Sequence, residues 1–180
     1  MVKDDLKKFL AEVPIFSDLT EDESDVLMEK LEEISLPAGR TIFHEGDEGD
    51  SLYIIRSGKV RISKIFRRGE EKSLAILGAK SIFGEMALLE EGKRSASATA
   101  VDDIRLLELT RGDLEELAEE NSSAGYNIMA GIARVLSSRL RKMNEEFLSI
   151  FSHPFRSIKE LEIILENVEN NFVTIGWEKI

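Results

Sequence analysis

A chain of 180 residues, 42% hydrophobic and 33% charged, holds enough apolar material for one substantial core, which excludes a disordered segment. Its formal net charge of −11 repels a nucleic-acid backbone, and the lack of cysteine excludes a disulfide framework and a thiolate metal site. The N-terminus carries no apolar leader and no stretch is long enough to cross a bilayer, so the expected compartment is the cytoplasm, with no membrane partner.

Residues 1–36 read as an N-terminal helical segment. Pro14 separates a first helix, around Leu6 to Val13, from a second that opens on the capping box Thr20-Glu21-Asp22-Glu23. Behind that box Val26, Leu27, Leu31 and Ile34 recur at helical spacing. The period changes over 37–110. Leu52–Ile55, Val60–Ile65, Leu74–Leu77, Ala96–Val101 and Arg105–Leu109 are short strand-like runs, punctuated by glycine turns at Gly46, Gly49, Gly58, Gly69 and Gly92. Many short strands between such turns predict an antiparallel sandwich or roll, interrupted at Met86–Leu89 by a helical turn. The fold class is therefore α+β.

Residues 111–153 return to helix. Leu114, Leu117 and Ala118 mark a short one, and a longer one runs from about Ser123 to Phe151. Within it Met129, Ile132, Leu136, Leu140, Met143 and Phe147 are spaced by threes and fours, with one irregular step between Leu136 and Leu140; this is an approximate coiled-coil seam, which predicts a homodimer. His153-Pro154 ends this helix. The remaining 154–180 read as a helical tail: a capping box at Ser157 to Glu160, an apolar face through Ile158, Leu161 and Ile164, and a closing strand from Asn171 to Trp177.

Phe83 to Ala100 concentrates the chemistry. A glycine opens a helical turn, and one acid, Glu85, and one arginine, Arg94, follow within a short span. A cyclic nucleotide presents one phosphate charge and a free ribose 2′-hydroxyl, so it needs such groups together. This segment closely resembles the phosphate-binding cassette of the cyclic nucleotide-binding domain, as found in CRP/FNR regulators and kinase regulatory subunits. The stretch Phe43 to Val60, with its acidic glycine-rich turn and Gly58, is similar to the first hairpin of that family's β-roll. Helices, roll, cassette and long C-terminal helix follow the family's order from Phe9 to Arg141.

The resemblance implies a jelly-roll-like double-stranded β-helix with the cassette at 83–100, and it implies roles. Arg94 would pair with the exocyclic phosphate oxygens, for which a planar guanidinium fork is suited. Glu85 would accept from the ribose 2′-hydroxyl. Gly84 would let the backbone approach, the amides of Glu85, Met86 and Ala87 would attract an anion, and Ser95 would add a hydroxyl donor to phosphate or reach a guanine edge in a syn nucleotide. Ile62 and Leu74 from the roll, with Val135, Leu136 and Arg139 from the long helix, would line the base pocket, with cAMP favoured over cGMP. One departure precedes the cassette. Gly78-Ala79-Lys80-Ser81 places Lys80 where the family usually has glycine, which implies a different turn geometry.

Other chemistries lack their residues. Gly78-Ala79-Lys80-Ser81 is missing the glycine a phosphate-binding P-loop needs, and Asp47, Glu48 and Asp50 lack the closing glutamate of a calcium loop. His44 and His153 stand alone, and no nucleophile has a base nearby in sequence. No catalytic residue, metal or cofactor is expected. The expected function is a dimeric cyclic-nucleotide-binding sensor that signals through its long helix to a partner protein. Two alternatives stand beside it: a CRP/FNR-type transcription regulator, and a structural roll without ligand. In the CRP branch a winged helix-turn-helix follows the long helix. The tail here offers no second basic recognition helix, so direct nucleic-acid binding is not expected.

Overall fold

Start and stop signals in the chain set the N-terminal helices. The first, α1, spans Val2–Ala11, and Pro14 then opens a short 3-10 turn, Pro14–Phe16. The second, α2, spans Glu21–Lys30. The Thr20 hydroxyl accepts from the Glu23 amide at 3.3 Å and the Glu23 carboxylate accepts from the Thr20 amide at 2.8 Å, which closes the predicted capping box. The protein is represented by a computed structural model that describes residues 2–66, 69–90 and 92–152. The predicted tail, 154–180, lies outside the described residues.

The N-terminal helical segment ends earlier than predicted. Leu31 is extended, and Glu32–Leu36 forms strand β1. Ile34 and Leu36, read above as the end of a helix, pack into the roll, where they pair with Leu106 and Ile104. A long-range partner decides the backbone here, and local periodicity does not.

Nine further strands follow: β2 (Thr41–Phe43), β3 (Glu48–Gly49), β4 (Ser51–Ser57), β5 (Val60–Ile65), β6 (Glu71–Leu77), β7 (Ile82–Phe83), β8 (Gly92–Lys93), β9 (Ser97–Ala100) and β10 (Ile104–Thr110). They pair antiparallel in the orders β1-β10-β4-β7, β2-β9-β5-β6 and β3-β8. This is the α+β antiparallel roll expected from the sequence. β4 and β10 are apolar on both faces. Leu52, Ile54, Leu107 and Leu109 face the helices, while Tyr53, Ile55, Ile104 and Leu106 fill the roll. Period-two alternation thus serves two cores from one sheet.

Between β7 and β8 lies the cassette helix α3, Glu85–Leu89. Just before β7, Lys80 adopts a left-handed φ of 69°. This is a conformation that glycine adopts freely and a side chain rarely does. Its amide donates to the Ile55 carbonyl at 2.8 Å and its ammonium pairs with Glu12, so the position is tied on both sides.

After β10 come α4, Arg111–Glu120, and α5, Ser122–Ser152. α4 opens on a second capping box, between Thr110 and Asp113. α5 has two apolar faces. Ala124, Ile128 and Ile132 are fully buried against the 3-10 turn and α4, and Gly131 lets the helix touch the Ile15 carbonyl, where a Cβ would lie 2.1 Å from that oxygen. The expected seam therefore needs correction. Ile132 is buried in its own domain, Leu136 packs on the same core, and Met143 is only 3% exposed. Met129 is exposed with Tyr126 and Leu148, and Leu140 and Phe147 are half-buried on the same side. At about 100° per residue the predicted stripe straddles the edge between the two faces, so its register mixed them. No helix among the described residues is long and apolar enough to cross a membrane.

Candidate functional site

The site grows from one buried arginine. Arg94 sits just after β8, and its backbone is held from both sides by the acidic turn: its amide donates to the Asp47 carbonyl at 2.7 Å, and its carbonyl accepts from Gly46 at 2.9 Å. β3 and β8 continue this zipper through Glu48 opposite Lys93 and Gly49 opposite Gly92. Arg94 as a whole is 6% exposed. One Nη1 donates to the carbonyls of Ser51, at 2.7 Å, and Gly84, at 3.2 Å. The Phe43 ring lies 4.2 Å beneath it, within an aromatic cluster where Tyr53 and Phe83 stack at 5.2 Å.

Two glycines make this placement possible. A Cβ on Gly49 would lie 2.1 Å from Arg94 Nε, and one on Gly84 would lie 2.7 Å from Nη1. Gly84 also needs its φ of 77°, because it turns the chain from β7 into α3. Burial pulls the Arg94 pKa below its ordinary value, and Asp50, Glu108 and Asp47 nearby only partly oppose that. Among the described residues no carboxylate forms an ion pair with it, and its Nε–H is buried without a hydrogen-bond partner. Burial and a bond to Glu108 push the neighbouring Tyr53 phenol up to about 12, so it stays a neutral wall.

Glu85, the first residue of α3, is 4% exposed and pairs with Arg139 of α5. The second Arg139 nitrogen donates to the Ile82 carbonyl at 2.8 Å. The long helix is thereby bolted to both ends of the β7–α3 corner. Ser95 follows Arg94, with its hydroxyl 3.7 Å from the Met86 sulfur, while its carbonyl accepts from Lys64 at 3.1 Å. Lys64 in turn pairs with Glu45 at 3.1 Å, which ties β5 to the acidic turn and the cassette.

These groups border one cavity of about 470 Å³. The cassette residues Gly84, Glu85, Met86, Ala87, Arg94 and Ser95 all line it, as do Ile62 and Leu74 from the roll and Arg139 from α5. Val135 and Leu136 do not. Both pack on the helical core, because α5 turns its cavity face through positions 139, 142, 143 and 146, about one turn further along. Lys142, Met143 and Glu146 are the lining residues that sequence reasoning missed on this helix, and it also missed Phe43 on the cavity wall, Gly49 against the Arg94 side chain and Lys64 on the Ser95 carbonyl. Gly49 carried a signal, since it sits in the acidic turn; its use as a slot for a side chain 45 positions away did not show in the chain.

Comparison with known proteins decides the family. Residues 33–121 match the family model described as the cyclic nucleotide-binding domain. The CRP-like cAMP-activated global transcriptional regulator of Mycobacterium tuberculosis is 33% identical over 158 residues, 87% of this chain and 69% of that protein. The chain belongs to the cyclic nucleotide-binding domain family. The cyclic AMP receptor protein of Thermus thermophilus is 41% identical over 133 residues, 74% of this chain and 60% of that relative's length. Among solved structures, the N-terminal domain of a transcriptional regulator from Streptomyces coelicolor A3(2) superposes with a TM-score of 0.66 at 35% identity, over 76% of this chain and 93% of that one. The matched residues 33–121 take in the roll, the cassette helix and α4.

Proposed function

We propose that the chain is a cyclic-nucleotide sensor, with cAMP favoured over cGMP, that passes its signal through α5. The observation that carries this reading is Arg94: a buried guanidinium on the cavity wall, without a carboxylate partner among the described residues and with one N–H unmade. A desolvated cation of that kind is costly unless an anion completes it. One phosphodiester charge fits that need, and Glu85 across the corner is the group suited to accept from a ribose 2′-hydroxyl. The preference for adenine is supported by relatives named for cAMP.

Arg139 couples the site to the long helix. A ligand hydroxyl arriving at Glu85 meets the carboxylate that already holds Arg139, so ligand and α5 share one anchor. A ligand that binds one arrangement of that anchor better shifts the helix population toward it. The outward stripe of α5, through Met129, Leu140 and Phe147, fits a second copy of the chain, and the output is to a partner protein. The test is calorimetry with cAMP, with 2′-deoxy-cAMP as the probe of Glu85. Tight binding of the first and weaker binding of the second is the expected result; no heat with either would end the sensor reading. The curated relatives named as transcriptional regulators support a second reading, action on DNA, which a gel shift at low salt tests.

A further inference from the structure

Arg94, Ser95 and Ala96 lie between β8 and β9 and belong to neither strand, so turns and side chains around them must fix their place. The acidic turn does so residue by residue. Asp47 and Gly46 hold the amide and carbonyl of Arg94, and the Glu45 amide donates to the Ser97 hydroxyl at 2.9 Å. The Ser95 carbonyl between them is reached from β5, by the Lys64 ammonium at 3.1 Å. Glu45 holds Lys64 for this: one carboxylate oxygen lies 3.1 Å from the ammonium, and the other accepts from the Ile65 amide at 3.0 Å. The two side chains are only 15% and 25% exposed, so water and salt screen this pair less than a surface ion pair.

The cavity is lined by Ser95 and by neither Lys64 nor Glu45. The Ser95 hydroxyl rests 3.7 Å from the Met86 sulfur, a weak acceptor, so exchanging that contact for an anionic oxygen is favourable. The exchange requires residue 95 to keep its place, because a hydrogen bond weakens steeply once donor and acceptor misalign. We propose that Lys64 and Glu45 are positioning residues of the phosphate corner, which aim the Ser95 hydroxyl at the anion that Arg94 holds.

This inference rests on the sensor reading of the same cavity. The experiment is calorimetric titration of cAMP into the wild-type chain, Lys64→Met, Ser95→Ala and the double variant, with circular dichroism on each. Lys64→Met and Ser95→Ala are each expected to weaken binding about tenfold, and the double variant to be little weaker than either, since the lysine acts through the serine. Lys64→Arg keeps the donor and the charge, and is expected to bind within about threefold of the wild type. If Lys64→Met does not fold, Lys64→Met with Glu45→Gln removes the pair without stranding a carboxylate and takes its place in the cycle, with the same expectation. Wild-type affinity in the lysine variant, or penalties that multiply in full, would leave the pair a structural brace and overturn the proposal. If cAMP binds none of these proteins, the sensor reading itself falls and takes this inference with it.

Discussion

Arg94 and the glycines that frame it concentrate the strain and the specificity of the site. The side chain threads past Gly49, where a methyl group would sit 2.1 Å from Nε, and under Gly84, where one would sit 2.7 Å from Nη1. Gly49→Ala is therefore an overpacking change at a buried cation. It is expected to destabilise the protein by about 1–3 kcal/mol, read from the urea midpoint, and to weaken cAMP binding together with it. Unchanged stability and affinity would mean that the arginine has room the structure does not give it. Arg94, Glu85 and Ser95 were legible in the sequence because they sit within ten residues of one another in a recognisable frame. Gly49, Phe43 and Lys64 were not, since each reaches the site across the roll from a different strand or turn.

At the scale of elements, capping and alternation were readable and register was not. Both the Thr20 box and the long strands β4, β5, β6, β9 and β10 carry local signals that the fold keeps. The two- and three-residue strands β2, β3, β7 and β8 carry none, because pairing with distant partners makes them. The same holds for β1, whose Glu-Glu start favours helix until β10 claims it. On α5 the heptad was visible, but which edge of the stripe faces the domain depends on the 3-10 turn, and that contact is remote in sequence. Glu23 joins these elements. Buried at the start of α2, it accepts from Ser123 and Asn127 of α5 as well as from the Thr20 amide. The Ser123 hydroxyl bond, followed by the Thr20 amide, holds its carboxyl below the ordinary value of 4.5. A folded pKa below the unfolded one means that the unfolded chain binds the extra proton first. Stability from Glu23 is thus complete above about pH 4.5 and is lost as pH falls through the folded pKa. Glu23→Ala is expected to cost about 1 kcal/mol at neutral pH. It should also narrow the gap between urea midpoints at pH 7 and pH 3; an equally wide gap would contradict the role.

For the whole molecule, α5 is a shared beam: one side closes the helical core and, further along, the cavity, and another side is turned outward. The outward face holds Tyr126, 73% exposed, and Leu148, 62% exposed, on either side of Met129 and Leu140. Such a stripe is the surface proposed above for a second copy of the chain. Met129→Glu with Leu140→Glu is expected to convert a dimer to a monomer in sedimentation without loss of fold. Ile132 and Met143, predicted for the same seam, are placed to break the domain itself, so glutamate there is expected to lower stability at any oligomeric state.

The central claim is that a ring-closed phosphodiester completes Arg94. Calorimetric titration of cAMP into the wild-type chain and Arg94→Ala tests it most directly. The variant is expected to lose about 2 kcal/mol or more of binding free energy, roughly thirtyfold in Kd, with the fold intact by circular dichroism. Equal affinity in the two proteins would place the nucleotide elsewhere and contradict the account.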